Sequence, residues 1–152
     1  MEILMRRYFL LPWLWVFALA FEARASDTVV IELSTKGNDI AFDQAAVQIK
    51  FKKTIGLKFV NKAAADSHIG HNIAILKPDA TDAVIQDLRK NNYDLAAIKN
   101  HPGILIISKT LNPGESDVVT FSPDKPGFYP YLCLMPGHSD ILGMKGILHV
   151  SE

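Results

Sequence analysis

Phe128-Tyr129-Pro130-Tyr131-Leu132-Cys133 and Gly146-Ile147-Leu148-His149-Val150 are two runs of aromatic and branched residues. Between them lie Cys133-Leu134-Met135-Pro136-Gly137-His138 and, after five further residues, Met144-Lys145-Gly146. Aromatic and β-branched side chains favour strands, and Pro-Gly marks a turn. The stretch therefore predicts two late strands joined by a loop that carries a thiol, an imidazole and a thioether. Strand alternation gives Tyr129, Tyr131 and Cys133 a common face toward the core. It turns His149 outward, between Leu148 and Val150.

Upstream, similar short runs recur. They are Thr28 to Leu33, Ile40 to Phe42, Ala46 to Phe51, Thr54 to Val60, His71 to Leu76, Ile104 to Ile107 and Asp117 to Phe121. Lys36-Gly37-Asn38, Asn112-Pro113-Gly114 and Pro126-Gly127 punctuate them. Short strands at this spacing predict an all-β sandwich or barrel. One segment breaks the pattern. Between residues 79 and 99, Val84, Ile85, Leu88, Leu95, Ala96 and Ile98 follow helical spacing. This predicts a helical insertion capped by Asp79 or Thr81, interrupted at Asn91-Asn92 and stopped by His101-Pro102-Gly103. It reads as a crossover covering one end of the sandwich. Two or three turns of mixed charge give little support to an amphipathic membrane-interface helix.

The chain has 152 residues, 16 Lys+Arg against 16 Asp+Glu, and one cysteine. That is one domain with a real core. Balanced charge gives no electrostatic case for nucleic acid, and one cysteine excludes an intrachain disulfide framework. Arg6 and Arg7, the uncharged run Tyr8 to Phe21, and Ala23-Arg24-Ala25 form a targeting segment. The run is shorter than the ~20 residues that span a bilayer, which argues against an uncleaved anchor. Residues 1–25 are expected to be a cleaved signal peptide and residues 26–152 a single domain. That makes the product periplasmic or otherwise exported, and not an integral membrane protein once processed. Arg6-Arg7-Tyr8-Phe9-Leu10 suits the twin-arginine route, and the apolar run suits the general secretory route equally.

Cleavage would leave Cys133, Met135 and Met144 as the chain's soft sulfur donors. A lone thiol in an oxidising compartment needs protection, by burial or by metal. Far upstream, Gly70-His71-Asn72 opens a strand. His71, Cys133, His138 and Met144 together offer one thiolate, two imidazoles and one thioether. Two histidines and a cysteine in a plane with a weak axial methionine make a type 1 blue-copper electron-transfer site. Thiolate and thioether favour Cu(I), imidazole accepts Cu(II), and a rigid mixed set serves both.

At these residues the sequence resembles the cupredoxins, most of all the azurin and auracyanin type. The resemblance spans nearly all of residues 26–152: Gly70-His71-Asn72, the mid-chain helix, Pro113-Gly114-Glu115 with Val118 to Phe121, and Cys133 to Gly146. It implies an eight-stranded Greek-key sandwich with one copper. His71, Cys133 and His138 would be equatorial ligands, Met144 axial, and the Gly70 backbone carbonyl a weak ligand opposite. Asn72 would tie the two ligand loops together and help donate backbone hydrogen bonds to the cysteine sulfur. The implied partners are a protein redox donor and acceptor docking near His138, with no substrate. Met135, Pro136, Gly137, Ile141 and Leu142 form an apolar rim there, or Ile141 and Leu142 tuck inward as packing. Asp140 is the only charge in this loop.

Three departures stand out. One cysteine cannot make the disulfide that azurins carry. Met135 stands where azurins usually have phenylalanine. Five residues, Ser139 to Gly143, separate His138 from Met144 where azurins have three. Loop closure over the extra residues costs roughly half a kcal/mol, so the insertion bears on the placement of Met144 rather than on binding.

Other readings use the same residues less well. In a multicopper oxidase or nitrite reductase, histidines flanking the cysteine lead to a second copper. Here the flanks are Leu132 and Leu134, and no enzyme activity is expected. A cysteine protease needs an exposed activated thiolate and a larger scaffold. A periplasmic copper carrier or storage protein remains the alternative. It would expose exchangeable ligands and be colourless with Cu(I). Met135 reads as packing or surface contact, and His68 and His101 as loop residues.

Overall fold

Ile55, Leu57 and Phe59 alternate along Thr54–Val60, and each is fully buried. Each such side chain contributes ~1.5–3 kcal/mol by leaving water. A computed structural model describes residues 28–52 and 54–152, so the targeting segment and the expected cleavage after Ala25 lie outside the described residues. The eight strands are β1 (Thr28–Ser34), β2 (Ala46–Lys50), β3 (Thr54–Val60), β4 (Ala74–Leu76), β5 (Ile104–Ile107), β6 (Ser116–Phe121), β7 (Gly127–Leu132) and β8 (Lys145–Ser151). They form the expected sandwich. One sheet has the order β1-β3-β6 and the other β2-β8-β7-β4-β5. The β1–β3 and β2–β8 pairs are parallel and the others antiparallel.

The helical segment divides as the Asn91-Asn92 break suggests, into α1 (Thr81–Lys90) and α2 (Leu95–Ile98). Tyr93 N–H donates to the Leu88 carbonyl at 2.8 Å and Asn92 N–H to that of Arg89 at 3.1 Å. These are the bonds of a Schellman end, with Asn92 at φ 52° in the left-handed region. Asp94 then caps α2 by accepting from Ala96 N–H at 2.9 Å.

These helices lie on the five-stranded sheet and create a second core. The core between the sheets holds Phe59, Tyr131, Cys133 and Met144. The core beneath the helices holds Leu76, Val84, Leu88, Leu132 and Leu134. The segment through Cys133 thus feeds alternate side chains into both layers. Tyr129 and Tyr131 face inward as expected, and His149 turns outward to stack on Phe128 with ring centroids 4.5 Å apart.

Four local expectations fail for identifiable reasons. Ile40 to Phe42 is no strand, and only Phe42 bridges Thr35. The Asp43 carboxylate takes both Ser34 N–H (3.0 Å) and the Ser34 hydroxyl (2.7 Å), so a side chain replaces the ladder. The fourth strand starts at Ala74 rather than His71, because the Ser108 hydroxyl oxygen intercepts Ile73 N–H at 3.0 Å. Neither Asp79 nor Thr81 caps α1. Ala80 at its entry is already helical, leaving no extended residue whose side chain reaches the first amides. His101 is not an exposed loop residue. Its ring is 13% exposed, lies 3.5 Å from an Asp87 carboxylate oxygen, and accepts from Gly103 N–H at 3.0 Å. His68, by contrast, is exposed.

Gly146 pairs with Tyr131 across β7 and β8, and a Cβ there would overlap the Tyr131 ring. The Tyr131 hydroxyl donates to the Gln44 carbonyl at 2.6 Å, so the ring has little freedom to retreat. Gly146→Ala is expected to cost about 1–3 kcal/mol by overpacking, read as a lower denaturation midpoint of the metal-free protein. An unchanged midpoint would show that the ring yields.

Candidate metal centre

Cys133 follows β7 directly, and its N–H donates to the Met144 carbonyl at 3.1 Å. The turn after it is set by Gly137 at φ 77° and by His138 N–H donating to the Met135 carbonyl at 3.0 Å. His71 is brought in by a two-way backbone bridge with Leu111, at 3.0 and 2.7 Å. Asn61, fully buried, braces that bridge. Its side-chain amide donates to the carbonyls of Ile69 (2.9 Å) and Leu111 (3.0 Å). Nothing in the spacing of the sequence marks Asn61 or Ser108, because both act through hydrogen bonds to distant backbone.

The result is a converging donor set. The Cys133 Sγ lies 3.4 Å from His138 Nδ1 and 3.9 Å from His71 Nδ1. The donor atoms of the three residues lie within 4.8 Å of one another. Donors ~2.0–2.3 Å from one ion in a trigonal plane would sit at about these separations. His71 and Cys133 are fully buried, and His138 reaches the surface in part. The donor set therefore fits a copper ion in both chemistry and spacing.

Asn72 links the two ligand segments. Its side-chain oxygen accepts from Leu134 N–H at 2.7 Å. Backbone N–H groups of Asn72 and Met135 donate to the Cys133 sulfur. Burial pushes the Cys133 thiol up, and those two hydrogen bonds oppose it only in part. Without metal the group is thus a protected thiol, and a cation would be needed to make it a thiolate. Met144 is buried in the same cluster as Cys133, with its N–H on the His138 carbonyl at 2.8 Å. Gly70 runs beside Thr110 and Met135, and a Cβ on it would come within 3.2 Å of the Thr110 methyl. Met135 packs against the core edge and accepts from the Thr110 hydroxyl at 3.7 Å, in keeping with a packing role.

The loop insertion is an ordered turn. The Gly137 carbonyl accepts from Ile141 N–H (3.2 Å) and Leu142 N–H (2.9 Å). Ile141 and Leu142 are 75% and 58% exposed, so they do not tuck inward as packing. Asp140 instead turns inward. Its Oδ2 accepts from the Tyr93 hydroxyl at 2.6 Å and from Arg89 Nε at 2.8 Å. Burial alone would raise its carboxyl, but the Tyr93 and Arg89 hydrogen bonds prevail and hold it below the usual range.

The family model described as copper binding proteins, plastocyanin/azurin family, matches residues 29–151. The chain belongs to this family. It is 32% identical to auracyanin-B of Chloroflexus aurantiacus over 124 residues, 80% of this chain and 52% of that protein. The chain thus spans about half the length of that relative. Auracyanin-A of the same organism is 28% identical over 127 residues, 82% of this chain and 76% of that one. The crystal structure of reduced auracyanin from Roseiflexus castenholzii superposes with a TM-score of 0.66 at 29% identity, covering 84% and 99% of the two chains. Copper is accordingly the cofactor, and the arrangement of His71, Cys133 and His138 is consistent with a type 1 copper site.

Burial lowers His71 from 6.5 to about 4, with a smaller contribution from the charge of His138, which burial also lowers. In the metal-free protein the unfolded chain therefore takes up these protons first as the pH falls. This stability is fully present above about pH 6.5 and is lost progressively toward about pH 4. Melting temperatures of the metal-free protein across that window should fall steadily, and a flat profile would contradict the burial. Bound copper competes with those protons and should extend the plateau into acid.

Proposed function

We propose that this protein is an exported type 1 copper protein that carries single electrons between protein partners and performs no bond chemistry. His71, Cys133 and His138 would be the equatorial ligands, Met144 the axial one, and the Gly70 carbonyl a weak fifth. The observation that carries the reading is the convergence of two Nδ1 atoms on one buried sulfur. Copper, when bound, supplies a one-electron couple between Cu(I) and Cu(II). The chain's own work is to hold the donors still. The Asn72 and Met135 amides hold the sulfur, the Asn61 bridge holds His71, and the backbone bonds of Met144 tie it to both Cys133 and His138. A site that moves little on changing charge exchanges electrons with little reorganisation.

Burial favours this reading over a copper carrier or store, because His71 and Cys133 have no exposed surface from which to pass on a metal. Leu132 and Leu134 pack beneath the helices, so the flanks of Cys133 offer no route to a second metal. For location the support is the amino-terminal sequence. We take residues 1–25 as a cleaved signal peptide, residues 26–152 as the mature domain, and the periplasm or another exported compartment as its place. No helix among the described residues is long and apolar enough to cross a membrane.

Substitution of the donors tests the site. Cys133→Ser should abolish the visible charge-transfer band of the copper-loaded protein, and His138→Gly should leave a gap that added imidazole refills. Met144→Leu should keep copper and raise the reduction potential, since a donor that favours Cu(II) is lost. A potential unmoved by Met144→Leu would mean that another group, or none, fills the axial position.

The rim supplies the docking face. Ile141, Leu142 and Pro136 expose apolar surface in the loop that carries His138, suited to a small, quickly released interface. Leu142→Asp should slow electron self-exchange while colour and potential barely change, and should matter much less to a small soluble oxidant. Unchanged self-exchange, or a collapsed copper spectrum, would remove Leu142 from the docking face.

A further inference from the structure

We propose that Asp140 is a positioning residue for Met144: anchored by Tyr93 and Arg89, it fixes the inserted turn so that the chain returns Met144 to the copper site. This rests on the reading of Met144 as the axial ligand. Three observations carry it.

The first is the division of labour within the insertion. Ile141 and Leu142 are exposed and bury little of their own. The Asp140 side chain is only 2% exposed. A five-residue link between His138 and Met144 without an inward anchor would leave the approach of Met144 to the backbone alone.

The second is the origin of the anchor. Both donors come from the end of α1 and its exit, 47 and 51 residues away in sequence. Tyr93 sits at φ 60°, a left-handed conformation that costs a non-glycine residue roughly 1–2 kcal/mol. The chain accepts that strain at the residue whose hydroxyl reaches Asp140. The helical insertion and the loop insertion thus meet at one carboxylate.

The third is where the bonds are aimed. Both donors meet at Oδ2, while Asp140 Oδ1 is buried with no hydrogen-bond partner among the described residues. Two charge-assisted bonds on one oxygen set the direction of the carboxylate. What it supplies is a fixed place for the turn, between the Gly137 carbonyl that closes it and the Met144 N–H that ends it on the His138 carbonyl.

The test compares Asp140→Ala, Asp140→Asn and Tyr93→Phe, alone and combined with Met144→Leu. In the metal-free protein, hydrogen exchange at the Ile141, Leu142 and Met144 amides should quicken by roughly tenfold or more in Asp140→Ala. In the copper-loaded protein, Asp140→Ala should raise the potential in the direction of Met144→Leu, and by less. It should add nothing once Met144 is leucine. Asp140→Asn can still accept from both donors and should recover most of the wild-type potential. Tyr93→Phe, which removes one hydroxyl and leaves the fold intact, should give a smaller shift of the same sign.

Faster exchange with unchanged potential and spectrum would reduce the contact to packing and overturn the proposal. A shift that persists fully in the Met144→Leu background would also overturn it, because Asp140 would then act through its charge. If the wild type lacks the visible band, or Met144→Leu leaves the potential unmoved, the type 1 reading itself falls and takes this one with it. With both of those in place, a null result at Asp140 removes only the positioning role.

Discussion

Cys133 points into the core between the sheets while Leu132 and Leu134 point into the layer beneath the helices. Everything at the site depends on that alternation. A sulfur that must bind a metal and stay unoxidised has to be buried, and burial alone makes it a poor ligand by favouring the thiol. Two backbone amides aimed at the sulfur counter this in part. A metal cation would do the rest. The flanking leucines lock the strand from behind, so the sulfur cannot turn toward solvent without emptying the second core. The helical layer is thus part of the metal centre's support although it contributes none of the converging donors.

The two imidazoles are held differently, which suits different tasks. His71 is completely enclosed, its backbone bridged to Leu111 and that bridge braced by Asn61. Burial also depresses its proton affinity, so a neutral ring is ready for metal over the ordinary pH range. His138 sits in a tight turn and is partly open. One histidine is anchored in the protein, and the other is presented at its surface.

Much of this was legible in the sequence. Short apolar runs announced β3, β6, β7 and β8, helical spacing with the Asn91-Asn92 break announced α1 and α2, and the Cys133 to His138 loop with His71 upstream announced the three donors that converge. These signals are periodic or local. What escaped is neither. Asn61 braces Leu111 from 50 residues away, and Ser108 delays the start of the fourth strand by intercepting Ile73 from 35 residues away. Asp43 replaces a strand by bonding Ser34 with its side chain. His101 is covered because Asp87, on a helix before it, packs against it. Long-range side-chain hydrogen bonds leave no periodicity and are set by the finished fold.

The lengthened loop shows how such a bond changes the meaning of an insertion. Judged by chain entropy, Ser139 to Gly143 is a mild addition, roughly half a kcal/mol beyond a shorter link. Judged by geometry it could move the proposed ligand Met144, because added residues free the segment that follows His138. The fold limits that freedom at both scales. The ends of the loop are joined by the Met144 to His138 backbone bond, and its middle folds back on the Gly137 carbonyl. Only its apex is left to place, and the apex is Asp140. A hydrophobic apex residue would tie the turn down with looser geometry, since apolar contacts are not directional. A carboxylate shared by a phenol and a guanidinium is directional, and so it fixes position. The exposed Ile141 and Leu142 then remain outside the core.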